Sequence, residues 1–525
     1  MAAAARKLVP SPDVSGVDLR IAADRVPLEP QILLTSGGDG RIAVEDGGVN
    51  RYGCGPIPAP AVAPFGSSTA SVVSPSAYAA VSRLTERLRE RTVSESRAAV
   101  YRQELDRIRG KIACLLGVAD VAGLKTILSP SGTDLHRVAL HLTAAGAAAP
   151  PLVILSEPYE TGSGVVAALG GRVGPSAALR ATIGARNIGE ALLRPEIMTA
   201  PSRRADGTLR PAHHVDEDVA VIATAAARMG RRVLLVMLDV SKTGLISPSV
   251  ACAQDLKQRF PEQIEVLVDA CQLRLAPQTL AAYLRQDFLV AVTGSKFMTG
   301  PAFSGALFVP PGAADRLQRG TLATELARHC LTGEFPQGWA GLPPLAEYSN
   351  FGLAARWEAA IEEMKRFFTL PPAAVAGFFA DFGTAVAERL CEEDAFEPIA
   401  VRPLERTGLG AHLAWDREQT IFPFLLKSHG KPMSPVETLS AHRLMTVDLG
   451  GRSGWSQAGR RGQLGQPVNC GERQGDTLSA LRLCASARLA VDALAPGGRG
   501  AAAVIGDAMD VLDKAAWLTT RICER

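Results

Sequence analysis

The stretch that decides the fold is residues 291–301, AVTGSKFMTGP. It begins with an apolar run and passes through small residues to a lysine, Lys296. A short apolar run of this kind is typical of a buried strand in a parallel sheet, and ligands bind at the carboxyl ends of such strands. Phe297 would help to exclude water there, and desolvation lowers the pKa of an amine and makes it nucleophilic. A solvated surface lysine is the alternative interpretation.

A second strand end lies upstream, at residues 128–134, LSPSGTD. The pattern predicts a strand that passes through a tight turn into a helix, whose first backbone N–H groups have no partner within the helix. Together with the hydroxyls of Ser131 and Thr133, these groups would form a cradle for a phosphate. Alternatively, one of these two residues only caps the helix.

A third strand end carries an acid, in residues 266–272, VLVDACQ. Asp269 would lie at the same edge of the sheet as Lys296. A carboxylate in that place can keep a pyridine nitrogen protonated, because an opposite charge at contact distance shifts the pKa by about 1–3 units. An aspartate that caps a helix or lies in a loop is the alternative.

The three segments, in this order, resemble those of the fold-type-I pyridoxal-phosphate (PLP) enzymes, in particular the class V aminotransferase and cysteine desulfurase group. In that group one strand ends in Asp-x-x-Gln, and a later strand ends in Ser/Thr-Gly-x-Lys with Gly-Pro after it. The matching residues here are Asp269 and Gln272, then Thr293 to Lys296, then Gly300-Pro301. The resemblance covers about residues 126–310.

Carried over residue by residue, the resemblance implies a role for each matching position. Lys296 would form an aldimine with PLP and later move protons, Asp269 would pair with the pyridinium nitrogen, and Gln272 would approach the phenolic oxygen of the ring. The residues implied as contacts of the cofactor phosphate and its cradle are Ser131, Gly132, Thr133, Thr293 and Ser295.

Two further positions near the cofactor have weaker signals. Tyr159 follows the strand predicted at residues 152–155. Relatives place an aromatic residue, often His, over the ring near this point. A tyrosine of the core or of the rim is an equal alternative. Lys242, in the segment DVSKTG at 239–244, is a second candidate for the aldimine, although no Gly-Pro follows it. With Asp239 it would otherwise contact the cofactor or substrate, or face water.

An amino-acid substrate needs a cation for its carboxylate, and the guanidinium group of arginine suits bidentate binding. Relatives carry this arginine on a strand of the C-terminal domain, and here Arg482 lies inside the apolar run 481–484. A surface arginine on a strand is the alternative. Tyr52, in a Gly-rich segment, is a second candidate for the substrate pocket.

Composition narrows the class of protein further. With 525 residues, the chain is too long for a single core, so at least two lobes are expected. The net charge of +3 without a basic block argues against a nucleic-acid or membrane partner. Nine cysteines without a CxxC pair give no zinc framework, and the side chains of neighbouring His213 and His214 would point apart. No metal is therefore predicted.

Short apolar runs that alternate with helical segments predict an α/β fold, and the resemblance implies that it is the aspartate-aminotransferase-like fold. Its large domain has a mostly parallel sheet sandwiched by helices, and a smaller α+β domain follows. The predicted parts are an N-terminal arm over 1–75, a PLP-binding domain over 76–345, and a bridge helix with the small domain over 346–525. The bridge helix is expected at 350–368, and the polar segment 201–217 is expected to be an exposed connection.

These observations predict a cytoplasmic PLP enzyme that acts on an amino acid or amine, and the resemblance implies that it is a homodimer. A lyase-type reaction (C–S, C–C or decarboxylative cleavage) is preferred, because the missing histidine near Tyr159 and the residues Asp239 and Lys242 depart from the desulfurase pattern. Class V-type transamination is one alternative, and a non-catalytic protein that keeps the PLP scaffold is another. No GxGxxG motif follows the early strands, which argues against a dinucleotide-binding protein.

Overall fold

The computed structural model describes residues 26–38, 40–45, 47–59, 62–156, 159–170, 193–410, 414–453 and 455–522. In chain order the strands are β1 (Val62–Phe65), β2 (Lys125–Ser129), β3 (Leu152–Leu155), β4 (Glu196–Thr199), β5 (Val233–Asp239), β6 (Ile246–Ser247), β7 (Ile264–Ala270), β8 (Leu289–Thr293), β9 (Gly305–Val309), β10 (Phe396–Pro398), β11 (Ile421–Ser428), β12 (Lys431–Pro432), β13 (Arg461–Arg473) and β14 (Asp476–Cys484). The α-helices are α1 (Pro30–Leu34), α2 (Pro75–Arg91), α3 (Arg97–Leu115), α4 (Gly132–Ala144), α5 (Val165–Leu169), α6 (Ala212–Arg228), α7 (Val250–Arg259), α8 (Pro277–Arg285), α9 (Pro311–Leu317), α10 (Phe351–Phe368), α11 (Pro372–Glu392), α12 (Pro435–Met445), α13 (Gly450–Ser453), α14 (Ala487–Leu494) and α15 (Ala501–Ile522).

The large sheet has the strand order β2-β9-β8-β7-β5-β3-β4, and β6 pairs with β5. The central pairs β8–β7, β7–β5, β5–β3 and β3–β4 are all parallel. Only β9 and β6 run against their neighbours. This arrangement confirms the predicted mostly parallel sheet, and it places the carboxyl ends of β5, β7 and β8 side by side.

Strand β5 shows why the apolar runs are continuous. Its seven residues, VLLVMLD, are all buried. Val233, Leu235 and Met237 belong to the core on one face of the sheet, and Leu234 and Val236 belong to the core on the other. Because side chains alternate between the two faces of a strand, a sheet covered by helices on both faces needs apolar residues at every position.

The second sheet has the order β1-β13-β14-β11-β10, with β12 paired to β11. Its first strand comes from the predicted N-terminal arm and runs parallel to β13. The predicted bridge helix is α10, which begins after Asn350, whose side chain accepts a hydrogen bond from the Leu353 amide at 3.2 Å. This helix packs against α2 and α3 of the large domain and against α14 of the small one.

The exposed connection predicted over 201–217 is wrong at its carboxyl end, where α6 begins at Ala212. Val215, Val219 and Ala223 are buried at helical spacing on this helix. The polar residues between them form the outer face of an amphipathic helix. His213 and His214 lie exposed on its first turn.

In the described part of the chain, no single helix combines the length and the apolar composition needed to cross a membrane. Helices α10 and α11 pass that test only as a pair, and a bend of 97° separates them.

Candidate active site

A cavity of about 330 Å³ lies at the carboxyl ends of the parallel strands, between the large sheet and strands β13 and β14. The structure brings ten of the predicted site residues into its wall. They are Tyr52, Ser131, Gly132, Thr133, Asp269, Gln272, Thr293, Ser295, Lys296 and Arg482. Tyr159 is not among the lining residues, and it is 58% exposed. The two residues before it, 157 and 158, lie outside the described residues.

Asp269 is the buried carboxylate of the cavity. Its Oδ2 atom accepts hydrogen bonds from His136 Nε2 at 3.1 Å and from the Thr161 hydroxyl at 3.0 Å, and its Oδ1 accepts one from the Cys271 amide at 3.2 Å. Burial alone would raise the pKa of Asp269, but the charge and hydrogen bond of His136, helped by Lys296, outweigh it. The pKa of this carboxyl is therefore held well below its usual range, and Asp269 is an anion at neutral pH.

His136, which the sequence interpretation missed, holds Asp269 from helix α4. Its Nδ1 lies 2.7 Å from the Gly132 carbonyl oxygen and its Nε2 lies 3.1 Å from Asp269. Both partners are acceptors, so the ring must carry both protons to make both hydrogen bonds. Burial lowers the pKa of His136, but Asp269 more than compensates and leaves it raised. The buried pair is thus an imidazolium and a carboxylate.

The turn after β2, where the sequence predicts a cradle, leads directly into α4. Ser131 accepts a hydrogen bond from the Asp134 amide at 3.2 Å and donates one to the Asp134 carboxylate at 2.8 Å, so it caps α4. A Cβ atom on Gly132 would lie 2.7 Å from Cys271 Sγ and 3.2 Å from Thr293 Cγ2. Only glycine therefore lets the first turn of α4 approach the ends of β7 and β8 so closely.

The two hydroxyls after β8 are arranged in a chain. Thr293 donates to the Cys271 carbonyl oxygen at 2.7 Å and can accept from Ser295 at 3.3 Å. Thr293 is thereby committed to a backbone partner, whereas the long contact of Ser295 leaves its proton available to a stronger acceptor. Ser295 and the backbone N–H groups at the start of α4 are the donors that a phosphate would use.

Lys296 lies in the turn that follows β8, and its neighbour fixes this turn. Phe297 is fully buried and stacks on Trp415, with ring centroids 5.1 Å apart, and its amide donates to the Gln272 carbonyl oxygen at 3.2 Å. Burial lowers the pKa of the Lys296 amine, and the charge of Asp269 offsets only part of this effect. No hydrogen bond or ion pair of this ammonium group is found within the described residues.

Gln272 and Ser68 leave polar atoms unused in the cavity wall. The Gln272 amide nitrogen donates to the Ser68 carbonyl oxygen at 3.3 Å. The Gln272 Oε1 atom and the Ser68 hydroxyl are buried and have no hydrogen-bond partner among the described residues. Buried polar atoms without partners are costly, and a bound polar molecule would satisfy them.

Arg482 reaches the cavity from strand β14 and is only 2% exposed. It donates to the Thr69 hydroxyl at 3.0 Å and to the carbonyl oxygens of Gln466 and Lys242. Its Nε atom has no partner, and no carboxylate within the described part of the chain pairs with it. A buried guanidinium without a counterion is suited to a ligand carboxylate.

Asp239 and Lys242 are only three positions apart in the sequence, but they have different surroundings in the fold. Asp239 is fully buried, accepts two hydrogen bonds from Arg406 at 2.7 Å each and accepts one from the Tyr283 hydroxyl at 2.6 Å. It does not line the cavity, so neither the predicted ligand contact nor the exposure to water is found. Lys242 does line the cavity.

The sequence interpretation also missed Thr161, Glu160, Arg41 and Arg51, which line the cavity too. For His136 a signal existed, since it follows Gly132 by four residues and a predicted helix places both on one face. For Arg41 and Arg51 the sequence holds no such signal, because they lie in an irregular segment.

The sequence and the fold were compared with those of known proteins. No protein-family profile and no curated protein matches the chain. Among solved structures, a NifS-like protein from Rickettsia africae is 9% identical, with a TM-score of 0.50, and the match covers 86% of this chain and 98% of that one. The chain therefore has the aspartate-aminotransferase-like fold that the sequence predicts.

Two other solved structures also align over most of the chain. The Escherichia coli cysteine desulfurase CsdA is 13% identical with a TM-score of 0.48, over 87% of this chain and 95% of that one. Oryza sativa TDC, solved with PLP and tryptamine, is 12% identical with a TM-score of 0.48, over 88% of this chain and 83% of that one.

Proposed function

We propose that this protein is a PLP-dependent enzyme that acts on an amino acid or amine through Lys296. The observation that carries the proposal is the meeting of three distant segments in one cavity: the glycine turn at Gly132, the buried carboxylate Asp269 and the amine Lys296. Sequence resemblance alone implied each role, and the fold brings the three groups to the same edge of the sheet. A metal is not part of the proposal.

The residues present fit the cofactor. The start of α4 offers a close backbone approach that a Cβ atom would block, and Ser295 offers a hydroxyl, which suits a phosphate. Asp269 is held as an anion, which suits a pyridinium nitrogen. A bound polar group would also give the buried Gln272 Oε1 and Ser68 hydroxyl, which have no hydrogen-bond partner among the described residues, the partners that such atoms need.

When bound, PLP supplies an electron sink that stabilises negative charge at the substrate Cα. The chain's own residues do the rest. His136 fixes the orientation of the Asp269 carboxylate through Nε2. The lowered pKa of Lys296 makes its amine a nucleophile and lets it accept or return a proton at the substrate Cα. Arg482 binds the substrate carboxylate and so orients the bond to be broken.

Within this class we propose a lyase-type reaction at Cα or Cβ. The support is the departure from the desulfurase pattern, since Tyr159 is exposed and Lys242 enters the cavity instead. The only histidine in the cavity wall of the described chain, His136, uses both ring nitrogens for Gly132 and Asp269. We also propose a homodimer, on the resemblance, which light scattering after size-exclusion chromatography would test.

The experiment is cofactor trapping. The purified protein is reconstituted with PLP, reduced with borohydride and digested, beside the variants Lys296→Ala and Lys242→Ala. We expect a visible absorption band in wild type, and a pyridoxyl group on the peptide that contains Lys296. Labelling of Lys242 in wild type would overturn the site assignment. A folded wild-type protein that takes up no PLP would contradict the proposed function.

A further inference from the structure

The cavity wall contains more cations than the proposed function uses. The lining cations are Arg41, Arg51, Lys242, Lys296 and Arg482, and the lining acids are Glu160 and Asp269. Asp269 is engaged by His136, as described above. Glu160 is engaged as well, by Arg203 at 3.2 Å and by the hydroxyls of Ser241 and Thr243 at 2.7 and 2.6 Å. Neither acid therefore neutralises the lining cations by direct contact.

Lys242 is the cation whose place is most closely defined. Its amide donates to the Glu160 carbonyl oxygen at 2.9 Å, and its own carbonyl oxygen accepts from Arg482 at 3.4 Å. The backbone is thus fixed between a residue of the large domain and one of strand β14, and the side chain lines the cavity. Within the described residues, no hydrogen bond or ion pair of its ammonium group is found.

The environment of this ammonium group is unfavourable as it stands. Burial lowers the pKa of Lys242 to about 8, and the charges of Arg482 and Lys296 add to this effect, against a weaker opposing effect of Glu160 and Asp269. Two neighbouring, largely buried cations repel each other, and removing charges from water is costly unless counterions compensate. The α-carboxylate of an amino acid would compensate only one of them, Arg482.

We infer that the substrate is an amino acid with a second anionic group on its side chain, and that Lys242 binds this group while Arg482 binds the α-carboxylate. The inference rests on the proposed function and narrows its substrate class. Carboxylate, sulfinate, sulfonate and phosphonate groups all have the required charge and acceptor oxygens. A neutral side chain would leave the Lys242 charge uncompensated.

The more exposed part of the wall has the same sign of charge. Arg41 lies over the ring of Phe303 at 4.6 Å, the rings of Phe303 and Tyr52 are 6.1 Å apart, and Arg51 lies over Tyr52 at 5.7 Å. These cation–π contacts lie in the wall of the cavity. Arg51, an exposed cation of this wall, has the sign of charge that attracts an anionic substrate.

The test compares ligands that differ only in the second charge. Binding of aspartate and asparagine, and of succinate and its monoamide, is measured by calorimetry on PLP-loaded wild type, Lys242→Met, Lys242→Arg and the exposed-lysine control Lys431→Met. We expect each acid to bind at least about tenfold more tightly than its amide in wild type and Lys431→Met. This preference should disappear in Lys242→Met and return in Lys242→Arg. Succinate has no amine, so its binding reports the anion site without any bond to the cofactor.

Two results would overturn the inference. Equal affinity of acid and amide in wild type would exclude a second anion site. If Lys242→Met lowered the affinity for acid and amide equally, Lys242 would be assigned to binding of the cofactor or of the α-carboxylate. Failure of the proposed function looks different, because borohydride would then label no lysine. The affinities of succinate and its monoamide would in that case be measured on the protein without PLP.

Discussion

Asp269 and Asp239 occupy the ends of two neighbouring parallel strands, yet the fold uses them in different ways. Strands β7 and β5 pair so that Asp269 stands opposite Leu238, one residue before Asp239. Asp269 lines the cavity and pairs with His136, whose charge can change with pH. Asp239 is closed off by Arg406, whose charge cannot. In both cases an apolar strand places an aspartate at the edge of the sheet where ligands bind. The partner of the aspartate determines whether the carboxylate faces the cavity or is closed off in an ion pair.

The largest effect on stability is expected at the structural aspartate. Asp239→Asn leaves the buried Arg406 charge without its partner, so the free energy of unfolding should fall by about 3–5 kcal/mol. Denaturant unfolding measures this change. The double variant Asp239→Asn with Arg406→Met removes the stranded charge and should recover part of the loss. Unfolding like that of wild type in the single variant would refute the structural role.

The functional aspartate should show the opposite pattern. Asp269→Asn weakens the pairing with a pyridinium nitrogen, so turnover of an accepted substrate should fall about 10- to 1000-fold, the equivalent of 1–3 pKa units. Stability should change less than in Asp239→Asn, because His136 can become neutral when its partner loses its charge. Steady-state kinetics with the visible spectrum of the bound cofactor measure the first effect. Equal turnover in the two aspartate variants would remove the distinction between the two strand ends.

The partner of Asp269 gives a pH-dependent prediction. The pKa of His136 is raised in the folded protein, so its contribution to stability is complete below the unfolded value near 6.5 and is lost as pH rises through the folded value. The contribution of Asp269, whose pKa is lowered, is lost only in acid. His136→Gln should therefore lose about 1.5–3 kcal/mol, as for a hydrogen bond to a charged group, near pH 6 and less in alkali. A difference in stability that does not vary with pH would contradict the ion pair.

The smallest effect distinguishes two hydroxyls of the cradle. Ser131→Ala removes the cap of α4 and should cost about 1 kcal/mol in denaturant unfolding. Ser295→Ala should leave stability nearly unchanged, because the one side-chain hydrogen bond of Ser295 within the described residues is a long one, of 3.3 Å, to Thr293. This substitution should instead speed the release of PLP, which is measured as the loss of the visible absorption band during dialysis. If Ser295→Ala lowered stability and Ser131→Ala sped the release of PLP, the two roles would have to be exchanged.

The sequence predicted the buried apolar strands of the large sheet, the helix at 350–368 and the three segments that meet in the cavity, because strand ends, tight turns and apolar runs are local features. It did not predict His136 as the partner of Asp269, since the two are 133 residues apart and only the fold joins them. Tyr159 follows β3 as predicted, but which way a loop side chain turns depends on neighbours that a single segment does not reveal. The surroundings of Lys242 and Asp239 could not be predicted for the same reason. Arg482, which donates to the Lys242 carbonyl oxygen, and Arg406, which pairs with Asp239, come from the C-terminal part of the chain.

The parallel pairing of β1 with β13 also bears on how the protein is made. Val62 pairs with Arg461, so during synthesis β1 waits for nearly 400 residues before its partner strand is made. The large sheet can form in that interval from segments that lie closer together. An unpaired strand edge invites association with other chains, so the nascent protein can misassemble through β1 until β13 emerges at residue 461. Among the described residues that line the cavity, Arg482 is the last in the chain, so the wall is complete only after β14 has been made.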